Sequence, residues 1–143
     1  MGATLVRPDI LAAISKGEHS STFGGNPLSC AAGIAALRTI TEEGLIENSA
    51  KMGEFFREGL EKLKEKHSII REVRGKGLMI GVELKFEVRN VLMNLMREGV
   101  LMLYSGRNIL RILPPLVITQ EDITKVLQAL DVVLSEEEKN LNV

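Results

Sequence analysis

The chain has 143 residues, 45% hydrophobic and 26% charged, which is enough apolar material for one compact domain and too much for wholesale disorder. Eighteen basic against nineteen acidic residues leave a net charge of −1, so no basic surplus draws nucleic acid, and with no Trp, one Tyr and four Phe there is no base-stacking surface. The one cysteine, Cys30, excludes an internal disulfide and a thiolate zinc cluster, and His19 and His67 make no metal-ligand spacing.

Residues 2–6 are short and β-prone and predict one strand with no nearby partner, an odd feature because a lone strand satisfies no ladder. Pro8 and Asp9 open a short helix, Ile10 to Ser15. Residues 16–25 hold three glycines and no periodicity, and read as an irregular loop. Asn26-Pro27 is a strong helix start, a capping Asn followed by Pro at the first helical position. That helix is alanine-rich, runs to about Glu43 and demands close packing against another element. Gly44 ends it, and a second helix spans Leu45 to Lys66, with Met52, Phe55, Phe56, Leu60 and Leu63 near helical spacing.

The pattern then turns to strands. Ile69, Ile70 and Val73 are β-branched, Arg74-Gly75-Lys76-Gly77 reads as a turn, and Leu78 to Leu84 reads as the next strand. Glu87 to Glu98 is a short helix stopped by Gly99. Val100 to Leu103 and Ile109 to Leu113 are two more strands, and Pro114-Pro115 terminates the second. Thr119 to Asp122 resembles a capping box with Asp in place of Glu, and opens a helix bearing Ile123, Val126, Leu127, Leu130, Val133 and Leu134. The polar tail from Glu136 is expected to fray. Residues 69 to 135 thus predict a small α+β module, a sheet with helices on one face. Residues 1–66 look less self-sufficient. No apolar run approaches the ~18 residues of a membrane span, the N-terminus has no secretory pattern, and Val6 stands where a myristoylation motif needs Ser or Thr. The expectation is a reducing, cytoplasmic setting with no membrane and no nucleic-acid partner.

Two places can carry chemistry. In Ser20-Ser21-Thr22-Phe23-Gly24-Gly25-Asn26-Pro27, hydroxyls donate to anionic oxygens, glycines let backbone N–H groups approach, and a helix N-terminus follows. A phosphate or carboxylate contact is one reading, and an ordinary capped Ser/Thr/Gly loop is the plainer one. Arg111 sits in Ile109-Leu110-Arg111-Ile112-Leu113, where alternation places Leu110 and Ile112 on one face and Ile109, Arg111 and Leu113 on the other. A guanidinium among apolar residues calls for a carboxylate, either a structural Glu or a substrate. Gly75, Gly77 and Gly81 do not make a dinucleotide fingerprint, because they lead into a strand and not a helix. Cys30 reads as a small packing residue and His19 as a surface one.

These residues carry a resemblance. Ser20 to Ala32 is similar to the STFGGNPLACAA signature of the class III aminotransferases that use pyridoxal phosphate. Arg74 to Leu84 and Ile109 to Leu116 agree with later segments of that family in the same order. The subgroup it most resembles is the acetylornithine and ornithine aminotransferases. Such enzymes are well over twice this long. The resemblance therefore implies an α/β fold of the fold-type-I kind in which residues 1–43 end the cofactor-binding large domain, 44–68 form an interdomain helix and 69–143 form a C-terminal α+β small domain with an antiparallel sheet.

It further implies roles. Thr22 matches a threonine that holds the phosphate of pyridoxal 5'-phosphate in the neighbouring subunit of a homodimer. Ser21 matches a residue at the substrate, also across that interface, and Arg111 matches the arginine that pairs with a substrate carboxylate. The family's Schiff-base lysine precedes the position of Gly2, and the aspartate that pairs with the pyridine nitrogen lies further back. Neither Lys16 nor Lys76 matches that lysine. The implied activity is transfer of the distal amino group of acetylornithine, or a related N-blocked ornithine or lysine, to 2-oxoglutarate in arginine or lysine biosynthesis. The isolated chain is expected to be inactive. A free-standing α+β ligand-binding or interaction module descended from such an enzyme is the alternative.

Overall fold

The computed structural model describes residues 2–15 and 17–141, which form two compact units, Met1–Glu43 and Gly44–Val143.

In the first unit the expected strand at residues 2–6 is absent. The segment finds no ladder partner, so extended backbone there gains no hydrogen bonds. The following helix is shorter than expected and starts earlier: α1, Pro8–Leu11, begins on the proline. Lys16, first residue of the expected loop, lies outside the described residues. The longer helix, α2, spans Pro27–Glu42. Its start is fixed by Asn26, whose Oδ1 accepts the Ser29 N–H at 2.9 Å and whose Nδ2 donates to the Phe23 carbonyl at 2.8 Å. None of the described residues of this unit is buried, and Leu28, Ile34 and Leu37 of α2 are exposed.

The second unit holds the core. Gly44, in the left-handed region at φ 65°, is the N-cap of α3, Leu45–Lys66. Four strands follow in the sheet order β1-β2-β4-β3, every neighbouring pair antiparallel: β1 Ile70–Lys76, β2 Met79–Leu84, β3 Leu103–Ser105 and β4 Ile109–Ile112. Helices α4, Arg89–Arg97, and α5, Gln120–Leu141, complete the unit. Helix α3 packs on β1, β2 and α5, and α4 packs on α5. Alternation along β2 explains why one face is covered: Ile80, Val82 and Leu84 are buried, and the residues between them are not. These join Phe56 and Leu60 of α3, Val91 and Leu95 of α4, Leu110 and Ile112 of β4, and Ile123, Leu130 and Leu134 of α5 in one cluster. At ~1.5–3 kcal/mol per fully buried side chain, this cluster dominates the stability of the unit.

Three expectations are corrected here. Arg74-Gly75-Lys76-Gly77 is not a turn: β1 continues to Lys76, which pairs with Met79, leaving only Gly77 and Leu78 to reverse the chain. The strand expected at Val100–Leu103 lies at Leu103–Ser105, because pairing is set by Leu103 opposite Arg111 and Ser105 opposite Ile109. Val100 and Met102 pack against the core from the connecting segment. The tail does not fray at Glu136: α5 runs on to Leu141, with Glu137 only 5% exposed and its Oε1 accepting from Asn94 Nδ2 at 3.1 Å. The last two residues, Asn142 and Val143, lie outside the described residues. The α5 start is a reciprocal capping box, in which Thr119 N–H donates to Asp122 Oδ2 at 3.1 Å and Asp122 N–H to Thr119 Oγ1 at 3.2 Å.

One buried polar cluster ties α3 to α5. His67, 1% exposed, places Nε2 2.7 Å from Asp131 Oδ1 and Nδ1 3.0 Å from Glu138 Oε2. Lys66 Nζ donates to both oxygens of Asp131. A carboxylate only accepts, so both contacts are satisfied when each ring nitrogen carries a hydrogen. The Asp131 carboxyl is held below the usual range by hydrogen bonds from Lys66 and then His67. At Glu138 burial pushes the pKa up, but the hydrogen bond and charge of His67 with backbone bonds outweigh it, and the net direction is down. Carboxyls depressed in the folded state contribute stability above their unfolded values, near pH 4, and that stability is lost as pH falls through their folded values. His67→Ala removes the buried ring that bonds both carboxylates, leaving Asp131 to Lys66 and Glu138 to Ser68 and backbone donors, and is expected to cost about 2–4 kcal/mol at pH 7. Urea unfolding at pH 7 and pH 3 checks this: the penalty should shrink at the lower pH, and an equal penalty at both would refute the account.

Candidate functional site

The loop before α2 is exposed and closes on itself. A Cβ built on Gly24 would stand 2.9 Å from the Ser21 Cβ and 3.1 Å from its Oγ, so the absence of a side chain at Gly24 lets Ser21 fold over it. Gly25 sits at φ 70° and delivers the chain to Asn26. Thr22, exposed at the outside of this turn, makes no side-chain hydrogen bond among those of the described residues. A threonine hydroxyl free to donate, on a loop fixed by glycines and an Asn cap, fits one phosphate oxygen. It fits one contact of a cofactor phosphate, and the stretch Ser20 to Asn26 carries no cationic side chain.

Arg111 stands in the other unit, on the sheet face away from Leu110 and Ile112, as alternation requires. Its row across the sheet is Arg74, Gly81, Arg111, Leu103. Arg111 is exposed and makes no ion pair among the described residues. Of the two partners the sequence left open, no structural Glu is in place among the described residues. It also lines a groove of about 320 Å³ with Val100, Leu103, Leu113 and Pro114.

Beside it lies a cluster the sequence reading passed over. Arg71 Nη1 donates to Glu83 Oε1 at 2.8 Å, Arg74 Nη1 donates to Glu83 Oε2 at 3.0 Å, and Arg74 also pairs with Glu72. The hydrogen bond from Arg74 is the main reason the Glu83 carboxyl lies below its ordinary range, with Arg71 adding to it. The signal was available: Arg71, Glu72, Arg74 and Glu83 alternate charge on two strands joined by a tight turn, which brings opposite signs together. The His67 cluster had a signal too, since Asp131 and Glu138 are seven residues apart on one helix face. Ser21 and Thr22 belong to one compact unit and Arg111 to the other. Among the described residues no group of His, Cys, Asp and Glu side chains is arranged to hold a metal ion, and no helix is long and apolar enough to cross a membrane.

Known proteins match this chain in sequence and in fold. The family model described as "Aminotransferase class-III" matches residues 1–134. An acetylornithine aminotransferase of Caldanaerobacter subterraneus is 47% identical over 137 residues, 95% of this chain and 35% of that enzyme. The solved ornithine δ-aminotransferase of Plasmodium falciparum superposes with a TM-score of 0.89 at 31% identity, over 95% of this chain and 36% of its own. The ornithine aminotransferase of Toxoplasma gondii, whose active site holds pyridoxal phosphate at partial occupancy, superposes with a TM-score of 0.86 at 32% identity, over 94% of this chain and 33% of its own. The chain spans about a third of the length of the relatives it matches.

Proposed function

We propose, from a chain that belongs to the class III aminotransferase family, that it forms the C-terminal third of a transaminase acting on the distal amine of acetylornithine or a related N-blocked ornithine or lysine. The acceptor is 2-oxoglutarate, and the setting is arginine or lysine biosynthesis in the cytoplasm. The family's cofactor is pyridoxal 5'-phosphate. When bound, it supplies the electron sink on which the amino group is exchanged.

What this chain contributes is recognition. Arg111 presents a planar fork of N–H donors to a substrate carboxylate. Thr22 donates its hydroxyl to a phosphate oxygen, and Ser21 stands beside it for the substrate. In a homodimer, Ser21 and Thr22 serve the neighbouring subunit's site and Arg111 its own. The observation that carries the reading is the exposed guanidinium of Arg111, with no carboxylate bound to it among the described residues, on a sheet face where the neighbouring arginines are paired. A second reading, a free-standing module, draws on the self-contained core of Gly44–Val143. Against it stands the first unit, whose α2 has no buried residue.

The test is direct. The purified 143-residue chain is expected to give no transamination of acetylornithine with 2-oxoglutarate, because none of its lysines occupies the family's Schiff-base position. The complete enzyme carrying it is expected to turn over with pyridoxal phosphate. A clean rate from the chain alone sinks the assignment of the chemistry to an upstream segment. A complete enzyme that transaminates none of the N-blocked diamines sinks the substrate reading.

A further inference from the structure

Glu83 is the acidic side chain of the sheet closest in register to Arg111. It faces Ile109 across the β2–β4 ladder, and Arg111 lies two residues further along the same face. Such diagonal neighbours stand ~7–8 Å apart, within reach of two long side chains. A free Glu83 would compete with any arriving carboxylate for the Arg111 fork. Both of its oxygens are taken instead. Arg71 holds Oε1 at 2.8 Å, Arg74 holds Oε2 at 3.0 Å, and Asn108 Nδ2 adds a bond to Oε1 at 3.3 Å. Glu72, one strand further away, is also engaged by Arg74. Two arginines balance two glutamates in this cluster, so of these five charges only that of Arg111 is uncompensated. Gly81, between Arg74 and Arg111 in the row, adds no side chain that could bridge them.

We propose that Arg71 and Arg74 are positioning residues for carboxylate recognition, which hold both oxygens of Glu83 and thereby keep Arg111 open to the substrate. The inference rests on the reading of Arg111 as the substrate-binding cation given under Proposed function. It adds to that reading a reason why the guanidinium is not captured by its own sheet.

The experiment uses the complete holoenzyme and measures the two half-reactions separately. In Arg71→Gln/Arg74→Gln, Glu83 is released toward Arg111. The KM for 2-oxoglutarate is expected to rise about fivefold, the factor that corresponds to one partly exposed ion pair. The kcat and the half-reaction with the amino donor are expected to hold. Adding Glu83→Gln should return the KM to its starting value, since the competing charge is gone. A purely structural role for the arginines would not be rescued by removing their partner. An unchanged KM in the double variant, or a raised KM that Glu83→Gln fails to restore, overturns the proposal. Should the double variant not fold, Arg74→Gln alone frees Oε2 and must move the KM in the same direction. Arg111→Gln separates this inference from the one beneath it. If Arg111→Gln leaves the KM unchanged, the carboxylate reading itself fails. If it raises the KM and the arginine variants are silent, only the positioning role fails.

Discussion

Gly53→Ala is expected to destabilise the Gly44–Val143 unit by about 3 kcal/mol, the upper range for forcing atoms into a packed contact, although the same change in an exposed helix would gain about 1 kcal/mol. A Cβ at Gly53 would stand 2.2 Å from the Gly77 carbonyl oxygen, 2.3 Å from its carbonyl carbon and 2.7 Å from its Cα. These are backbone atoms of the turn between β1 and β2, and they have no rotamer to escape into. The turn cannot easily retreat, because Gly77 is at φ 52° and its own position is closed by Ser49, whose Oγ would lie 2.8 Å from a Cβ there. Leu78, buried at 4%, anchors the turn in the core. Gly59→Ala on the same helix is the control. Its Cβ would come as close, 2.3 Å, but to Leu127 Cδ1, the far end of a flexible side chain. That side chain can turn aside, so the cost there is expected to be about 1 kcal/mol or less. Urea midpoints at constant slope, measured on the full chain, check both. Equal penalties at Gly53 and Gly59 would show that stiffness of the neighbour does not decide the outcome.

The residues that could be read in advance are those whose partners are near in sequence. Asn26-Pro27 and Thr119-Asp122 each contain their own hydrogen-bond partner within three residues, so both helix starts follow from local chemistry. Alternation through Ile109–Ile112 fixes the face of Arg111 in the same way. Where partners are distant, local pattern fails. Residues 2–6 have strand-like composition and no ladder to join. The apolar run Val100–Leu103 has strand-like composition too, but its pairing begins only at Leu103, where Arg111 sits opposite. The tail looks polar because Glu137 and Glu138 are charged, yet Asn94 and His67, both far back in the chain, receive them and keep the helix intact. Gly53 belongs to this second class. A glycine in the middle of a helix reads as a defect until the turn it seats is known. As for the candidate residues, Ser21, Thr22 and Arg111 stand out in the sequence, whereas the pairing of Glu83 depends on register and does not.

Arg111→Gln in the complete enzyme is expected to lower kcat/KM for 2-oxoglutarate roughly a hundredfold, about 3 kcal/mol, the range for removing one partner of a charge-assisted carboxylate contact. Arg111→Lys keeps the charge and loses the two-pronged geometry, so an intermediate loss of about tenfold is expected. The two substrates should not suffer equally. In 2-oxoglutarate the reacting carbon is bonded to a carboxylate, whereas in an N-blocked ornithine the reacting amine lies at the far end of the side chain from its carboxylate. A cation fixed on a rigid strand, at one distance from the reacting atom, cannot serve both in the same way. The 2-oxoglutarate half-reaction should therefore fall much further than the half-reaction with the amino donor. Because Arg111 is exposed on the open face and its neighbours Leu110 and Ile112 carry the packing, the substitution should leave the unfolding midpoint unchanged. That separation of activity from stability is what distinguishes a binding cation from a structural one. Equal losses in both half-reactions would place Arg111 at a carboxylate common to the two substrates, and no loss in either would remove it from the site.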